Sequence, residues 1–158
     1  MTVDEMLTRE AIRDTLARCS LAGDRGQWDD YADCFAEEGV IQSEREDGEI
    51  ALRFAGREAI RAWQKAWKSR APGDGDRPRA SFVQPSFIQH CLTTSQIDLT
   101  APDRATVQTY WVVVTDVGAD HAGYYLDEFE RAGDRWLIAW RRVRKRWNAE
   151  DSAFAARQ

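Results

Sequence analysis

The chain has 158 residues, 43% hydrophobic and 31% charged, which fits one soluble domain, 1–150, with a core of its own and a short tail, 151–158. A net charge of −5 and a pI near 5.1 argue against nucleic acid and anionic membranes as partners. Three cysteines, Cys19, Cys34 and Cys91, are odd in number and lack CxxC spacing, so neither a disulfide framework nor a zinc site is expected.

The same cysteine usage points to a reducing, cytoplasmic compartment. The start, Met-Thr-Val-Asp-Glu-Met, lacks the basic residues and apolar run of a signal peptide. No stretch approaches the ~20 apolar residues of a membrane span. Seven tryptophans are the compositional oddity. They suit either the lining of a pocket for a flat apolar ligand or core filling and subunit contacts.

Thr2 and Glu5 have capping-box spacing and open a first helix, with Ile12, Leu16 and Cys19 on its apolar stripe. The helix is predicted to stop near Gly23, leaving Asp24-Arg25-Gly26 as a turn. A short second helix follows from about Asp29 to Ala36, with Trp28, Tyr31 and Phe35 as its stripe and Asp29 and Asp30 at its positive end. Gly39-Val40-Ile41 begins an extended stretch. Residues 44–49 read as a hairpin tip, and Ile50 to Phe54 pairs back. Gly56-Arg57-Glu58 leads into a third helix with Ile60, Trp63 and Trp67 at helical spacing. The polar Pro/Gly stretch between Ser69 and Ser81 is a candidate lid.

The second half reads as strands: Phe87 to Leu99, Ala105 to Val117, Gly123 to Glu130 and Arg135 to Trp147. Thr100 to Asp103 and Arg131 to Asp134 suit hairpin turns. Short links between consecutive strands imply an antiparallel meander, so the fold class is α+β. Trp136, Trp140 and Tyr110 are expected on a free sheet face that suits oligomer burial.

His90 is one of only two histidines, within Ile88-Gln89-His90-Cys91-Leu92. Strand alternation puts Ile88, His90 and Leu92 on one face. A histidine among core-facing aliphatics needs a polar partner. It is then either a satisfied structural residue or a general base held in an apolar cavity. His121, beside Asp120 in an expected turn, receives no role. The basic run from Arg141 to Arg146 reads as a largely solvated strand end.

Four segments, in this order, resemble the SnoaL-like branch of the NTF2-like superfamily: Ala22-Gly-Asp-Arg-Gly-Gln-Trp-Asp29, Phe54-Ala-Gly-Arg-Glu-Ala-Ile60, Gln89-His-Cys-Leu-Thr93 and Asp127-Glu-Phe-Glu-Arg-Ala-Gly-Asp-Arg-Trp136. The resemblance implies an NTF2-like cone, with three N-terminal helices packed on a curved, mostly antiparallel sheet that encloses a pocket. Relatives similar to scytalone dehydratase, bile-acid 7α-dehydratase and hexachlorocyclohexane dehydrochlorinase carry an aspartate–histidine dyad there. Asp24 and His90 fall on those positions. Asp24 alone reads equally as a turn aspartate bonding its own backbone.

The pattern also departs from those relatives. Cys19 stands where bile-acid dehydratases have a tyrosine. Trp111 replaces the second histidine of scytalone dehydratase, and Gly123 and Tyr125 replace its serine and asparagine. Arg144 matches an arginine near the active site of the bile-acid enzymes. The resemblance therefore implies a cofactor-independent lyase or isomerase, a dehydratase-like enzyme acting on a small hydrophobic cyclic or polyketide- or steroid-like substrate. Asp24 and His90 are its catalytic pair, and Cys19, Trp28, Tyr31, Trp111, Tyr125 and Arg144 contact the substrate. No metal or cofactor is required, and a homodimer or homotrimer is expected. The alternative is a non-catalytic subunit or ligand-binding module like the small subunit of ring-hydroxylating dioxygenases, whose ending Asp134-Arg-Trp-Leu-Ile-Ala-Trp-Arg-Arg142 resembles.

Overall fold

A computed structural model describes residues 1–45, 47–69, 85–152 and 154. The first helix, α1 (Val3–Arg25), starts on the expected capping box: Thr2 accepts from the Glu5 backbone and Glu5 accepts from that of Thr2. Its buried stripe is Ile12, Thr15, Leu16, Cys19 and Ala22. The helix runs through Gly23 and Asp24 and is capped instead by Gly26, at φ 69°. Asp24 therefore sits in the last helical turn rather than in a loop. Gly23 has a packing role, because a Cβ there would lie 3.3 Å from the Tyr31 ring.

Helix α2 (Trp28–Ala32) is shorter than expected and ends before Phe35, where β1 (Phe35–Glu44) begins. Strand β2 (Ile50–Ala55) pairs antiparallel with β1 through the expected hairpin. Helix α3 (Arg57–Ser69) packs Ile60 into the core and stacks Trp63 on Phe54, with ring centroids 4.9 Å apart. The Trp67 side chain and the candidate lid, residues 70–81, lie outside the described residues. Strands β3 (Gln89–Ala101), β4 (Arg104–Thr115), β5 (Gly118–Ala132) and β6 (Arg135–Asn148) form the expected meander.

The six strands form one curved, unclosed sheet in the order β2-β1-β6-β5-β4-β3. It is antiparallel except where β1 lies parallel to β6. The helices cover its inner face. Arg9 on α1 donates to the Ile97 carbonyl of β3, and Thr15 donates to the Trp136 carbonyl of β6 at 2.8 Å. Among the described residues no helix is long and apolar enough to cross a membrane.

Register sorts the inner face into rows. One row runs Leu99, Ala105, Phe129, Ile138 and Phe35; the next runs Ile97, Val107, Asp127, Arg141 and Ile41. Then come Ser95, Thr109, Tyr125 and Val143, followed by Leu92, Trp111, Gly123 and Lys145. The last row holds His90, Val113 and His121.

Bulges reset the alternation between rows. From Leu92 to Ser95 β3 advances three positions while β4 advances two, so the inner positions change from even to odd numbers. An extra residue at Ala139 does the same in β6: Trp136 and Ile138 face inward, and so do Arg141 and Val143. Trp136 is thus a core residue, 4% exposed, and not part of a free face. Tyr110 does lie on the outer face, half exposed.

Gly123 is required by a close approach. A Cβ there would strike the Arg144 carbonyl oxygen and come within 2.7 Å of Trp111 Cζ2. Gly123→Ser is therefore expected to lose about 1–3 kcal/mol or more of stability through overpacking, measured by chemical denaturation.

Candidate active site

Asp24 and His90 meet where α1 ends against the start of β3. The His90 ring Nδ1 lies 2.6 Å from Asp24 Oδ1, and the His90 backbone N–H donates to Asp24 Oδ2 at 2.9 Å. The two oxygens of one carboxylate thus grip both the main chain and the ring. A carboxylate is an acceptor, so in the neutral ring this bond places the imidazole proton on Nδ1 and leaves Nε2 with its lone pair. Nε2 has no partner among the described residues, and 29% of the side chain is exposed.

The helix C-terminus explains the placement. Running on through Gly23, α1 turns Asp24 toward the sheet, and Gly26 then redirects the chain into α2.

Further along the same inner face lies a polar cluster. Arg141, 2% exposed, makes a bidentate pair with Asp127 at 2.9 and 2.7 Å. Its guanidinium stacks 4.2 Å over the Tyr125 ring and donates to Cys19 Sγ at 3.4 Å. Burial opposes charge on Arg141, but the Asp127 carboxylate more than offsets this and holds the guanidinium pKa well above its ordinary value. Burial raises the Tyr125 and Tyr31 phenols, which stay protonated and able to donate. The Cys19 thiol is lowered by a hydrogen bond from Cys34 and by the charge of Arg141, against the effect of burial.

Cys19 and Cys34 are 0% and 1% exposed, whereas Cys91 is half-buried. Alkylation of the native protein should therefore modify Cys91 first and leave Cys19 and Cys34 untouched until unfolding, as read by mass spectrometry of digested protein.

The structure brings together most, but not all, of the residues singled out in the sequence. Trp111 and Tyr125 share the inner face with His90, their ring centroids 5.6 Å apart. Tyr31 packs with Phe35, centroids 5.5 Å apart, and sits in the electrostatic neighbourhood of Cys19, Arg141 and Tyr125. Trp28 is half-buried at the start of α2. Arg144 is elsewhere: it pairs with Glu44, opposite Tyr124 and Glu44 in register, on the outer face. The Ala139 bulge makes Arg141 the inward-facing arginine instead.

His121 also differs from expectation. It belongs to β5, not to a turn, and shares the inner row of His90. Two surface clefts, of about 480 and 260 Å³, are lined by other residues: one by α1, α2 and Arg135, the other by Arg45, Tyr124 and the end of β6.

Helices followed by a curved, unclosed sheet define the cystatin-like, NTF2-like class of fold. The sequence matches the SnoaL-like domain family over residues 4–142, and the chain belongs to that family. No curated protein matches it.

Among solved structures it is similar to a Novosphingobium aromaticivorans protein assigned as a scytalone dehydratase, with a TM-score of 0.74, 15% identity and coverage of 99% of this chain and 94% of that one. It is also similar to a protein of the same organism assigned as the β subunit of an aromatic-ring-hydroxylating dioxygenase (TM-score 0.73, 14% identity, 94% and 96% covered). A third is a hexachlorocyclohexane dehydrochlorinase from Novosphingobium barchaimii (TM-score 0.70, 15% identity, 93% and 92% covered). At these identities the likeness is one of fold.

Proposed function

We propose that this protein is a cofactor-independent lyase or isomerase that removes a proton from carbon in a small hydrophobic cyclic substrate, polyketide- or steroid-like in character. The observation that carries the reading is the two-point grip of Asp24 on His90, which leaves Nε2 free. His90 Nε2 takes the proton, and the C–H electron pair becomes the new double bond. In an elimination the leaving group departs with its own pair. In a double-bond migration the proton returns at another carbon.

Asp24 keeps the ring in the reactive tautomer and stabilises the imidazolium as it forms. Imidazole-mediated abstraction of this kind requires neither a metal nor an organic cofactor. Leu92 and the edge of Trp111 supply apolar surface beside His90, and protonated Tyr125 supplies an O–H donor. Dehydratase and dehydrochlorinase are names borne by two structures alike in fold, and they favour elimination among these options.

The test is a screen of cyclic β-hydroxy ketones and related alcohols in heavy water, following loss of water and deuterium entry at carbon. Turnover by the native protein and its loss in His90→Ala support the proposal. Equal turnover in that variant contradicts it.

A second reading, a non-catalytic subunit, draws on the fold likeness to the dioxygenase β subunit and on half-exposed Tyr110 and Trp147. Obligate co-purification with a large Rieske-type subunit favours that role. Elution alone as a cytoplasmic homodimer or homotrimer favours the enzyme.

A further inference from the structure

Both histidines of the chain lie in one cross-strand row, His90 opposite Val113 and Val113 opposite His121. Each is held by an aspartate through Nδ1: His90 by Asp24, and His121 by Asp120 at 2.7 Å. Neighbours along a strand ordinarily face opposite ways. A bulge between Val113 and Val114 makes Asp120 an extra residue of β5, and this lets two consecutive side chains meet.

Asp120 is fully buried. It accepts from Thr115 Oγ1 at 3.1 Å and Ser152 Oγ at 2.5 Å, and its carbonyl accepts from the Ala149 N–H at 2.7 Å. This many-sided hold fixes the Asp120 carboxylate on which the His121 Nδ1 rests. Trp111 meets the His121 ring edge-on at 5.6 Å and Phe154 lies at 5.0 Å. Among the described residues, Nε2 of His121 has no partner.

Resting on the inner face being the substrate site, we propose that His121 is a second substrate-contacting residue whose Nε2 accepts a hydrogen bond from a hydroxyl of the bound molecule, while His90 faces the carbon that loses its proton. An imidazole protonated on Nδ1 offers only an acceptor at Nε2, so its complement is a donor. Burial lowers the His121 pKa, despite the opposing pull of Asp120, and so favours this neutral form. Val113 between the two strands is fully buried, so the accessible surface of this row belongs to the two imidazoles, 29% and 12% exposed. Two strand spacings, about 9–10 Å, separate the two backbones. The substrate class is therefore a hydroxylated cyclic compound long enough to reach both imidazoles, with its hydroxyl directed away from the reacting carbon.

The test uses phenol and anisole, which share a ring and differ in the O–H donor, on full-length protein carrying isotope-labelled histidine. Phenol should shift the His121 Nε2 resonance and bind on the order of tenfold more tightly than anisole, the worth of one neutral hydrogen bond. His121→Asn keeps a nitrogen that can donate to Asp120 but removes Nε2, and should bring phenol to the affinity of anisole.

Equal affinity of the native protein for the two probes would overturn the proposal. So would a His121 signal unmoved by saturating phenol, or no binding of phenol at all. The native-protein comparison needs no variant and stands even if His121→Asn folds poorly. Phenol undergoes no reaction, so failure here leaves proton abstraction by His90 to its own screen, and failure of that screen leaves this result intact.

Discussion

Asp24→Asn is expected to cut kcat/KM by about two to four orders of magnitude, the usual contribution of a positioned general base, with the fold retained. The asparagine carbonyl can still accept the His90 backbone N–H. Its amide, however, is a donor where the carboxylate was an acceptor. Facing that donor, His90 turns its lone pair to Nδ1 and carries its proton on Nε2, the atom meant to receive one. The imidazolium also loses its counter-charge. His90→Ala should cost at least as much, because the base itself is gone. The checks are steady-state kinetics on a substrate from the elimination screen, together with thermal melting to establish folding. A variant that melts like the native protein and works equally well would refute the role of the pair.

Asp127→Asn is predicted to be the most destabilising of these changes. The Asp127 and Arg141 side chains are 0% and 3% exposed and make two parallel hydrogen bonds. Removing one partner of a buried pair strands the other charge, at a cost of about 3–5 kcal/mol. For a domain of this size that corresponds to a fall in Tm of roughly 6–20 °C. The Tyr125 ring and the Cys19 sulfur, which depend on the guanidinium, should lose order as well. Calorimetry decides the matter. An Asp127→Asn, Arg141→Met double variant that regains stability would confirm that the stranded charge is the cause.

The fold was legible because the helical stripe of α1, the hairpin turns and the strand runs each carry a local signal that tertiary packing does not overrule. That His90 needs a polar partner was readable from a histidine within an apolar strand segment, since alternation holds from Ile88 to Leu92; that the partner is Asp24 was indicated only by the family resemblance. The limits of α1 were misplaced because a glycine has two uses. Gly23 lets the Tyr31 ring approach the helix, whereas Gly26 ends it.

The errors in the sheet trace to bulges. One extra residue near Ala139 turns Trp136 and Arg141 inward and Arg144 outward, which simple alternation along β6 cannot reveal. Another at Asp120 carries β5 back to Gly118 and brings His121 into the inner row. No residue type announces such a bulge. Asp-His in sequence, in a chain with only two histidines, was the sole available hint.

Histidine-labelled NMR of the free protein measures the account at its root, the protonation pattern of one ring. A neutral His90 with its hydrogen on Nδ1 and a bare Nε2, reversed in Asp24→Asn, is the predicted result. A native protein whose His90 carries hydrogen on Nε2 in its neutral form would show that the carboxylate does not prepare a base, and the proposed chemistry would fall with it.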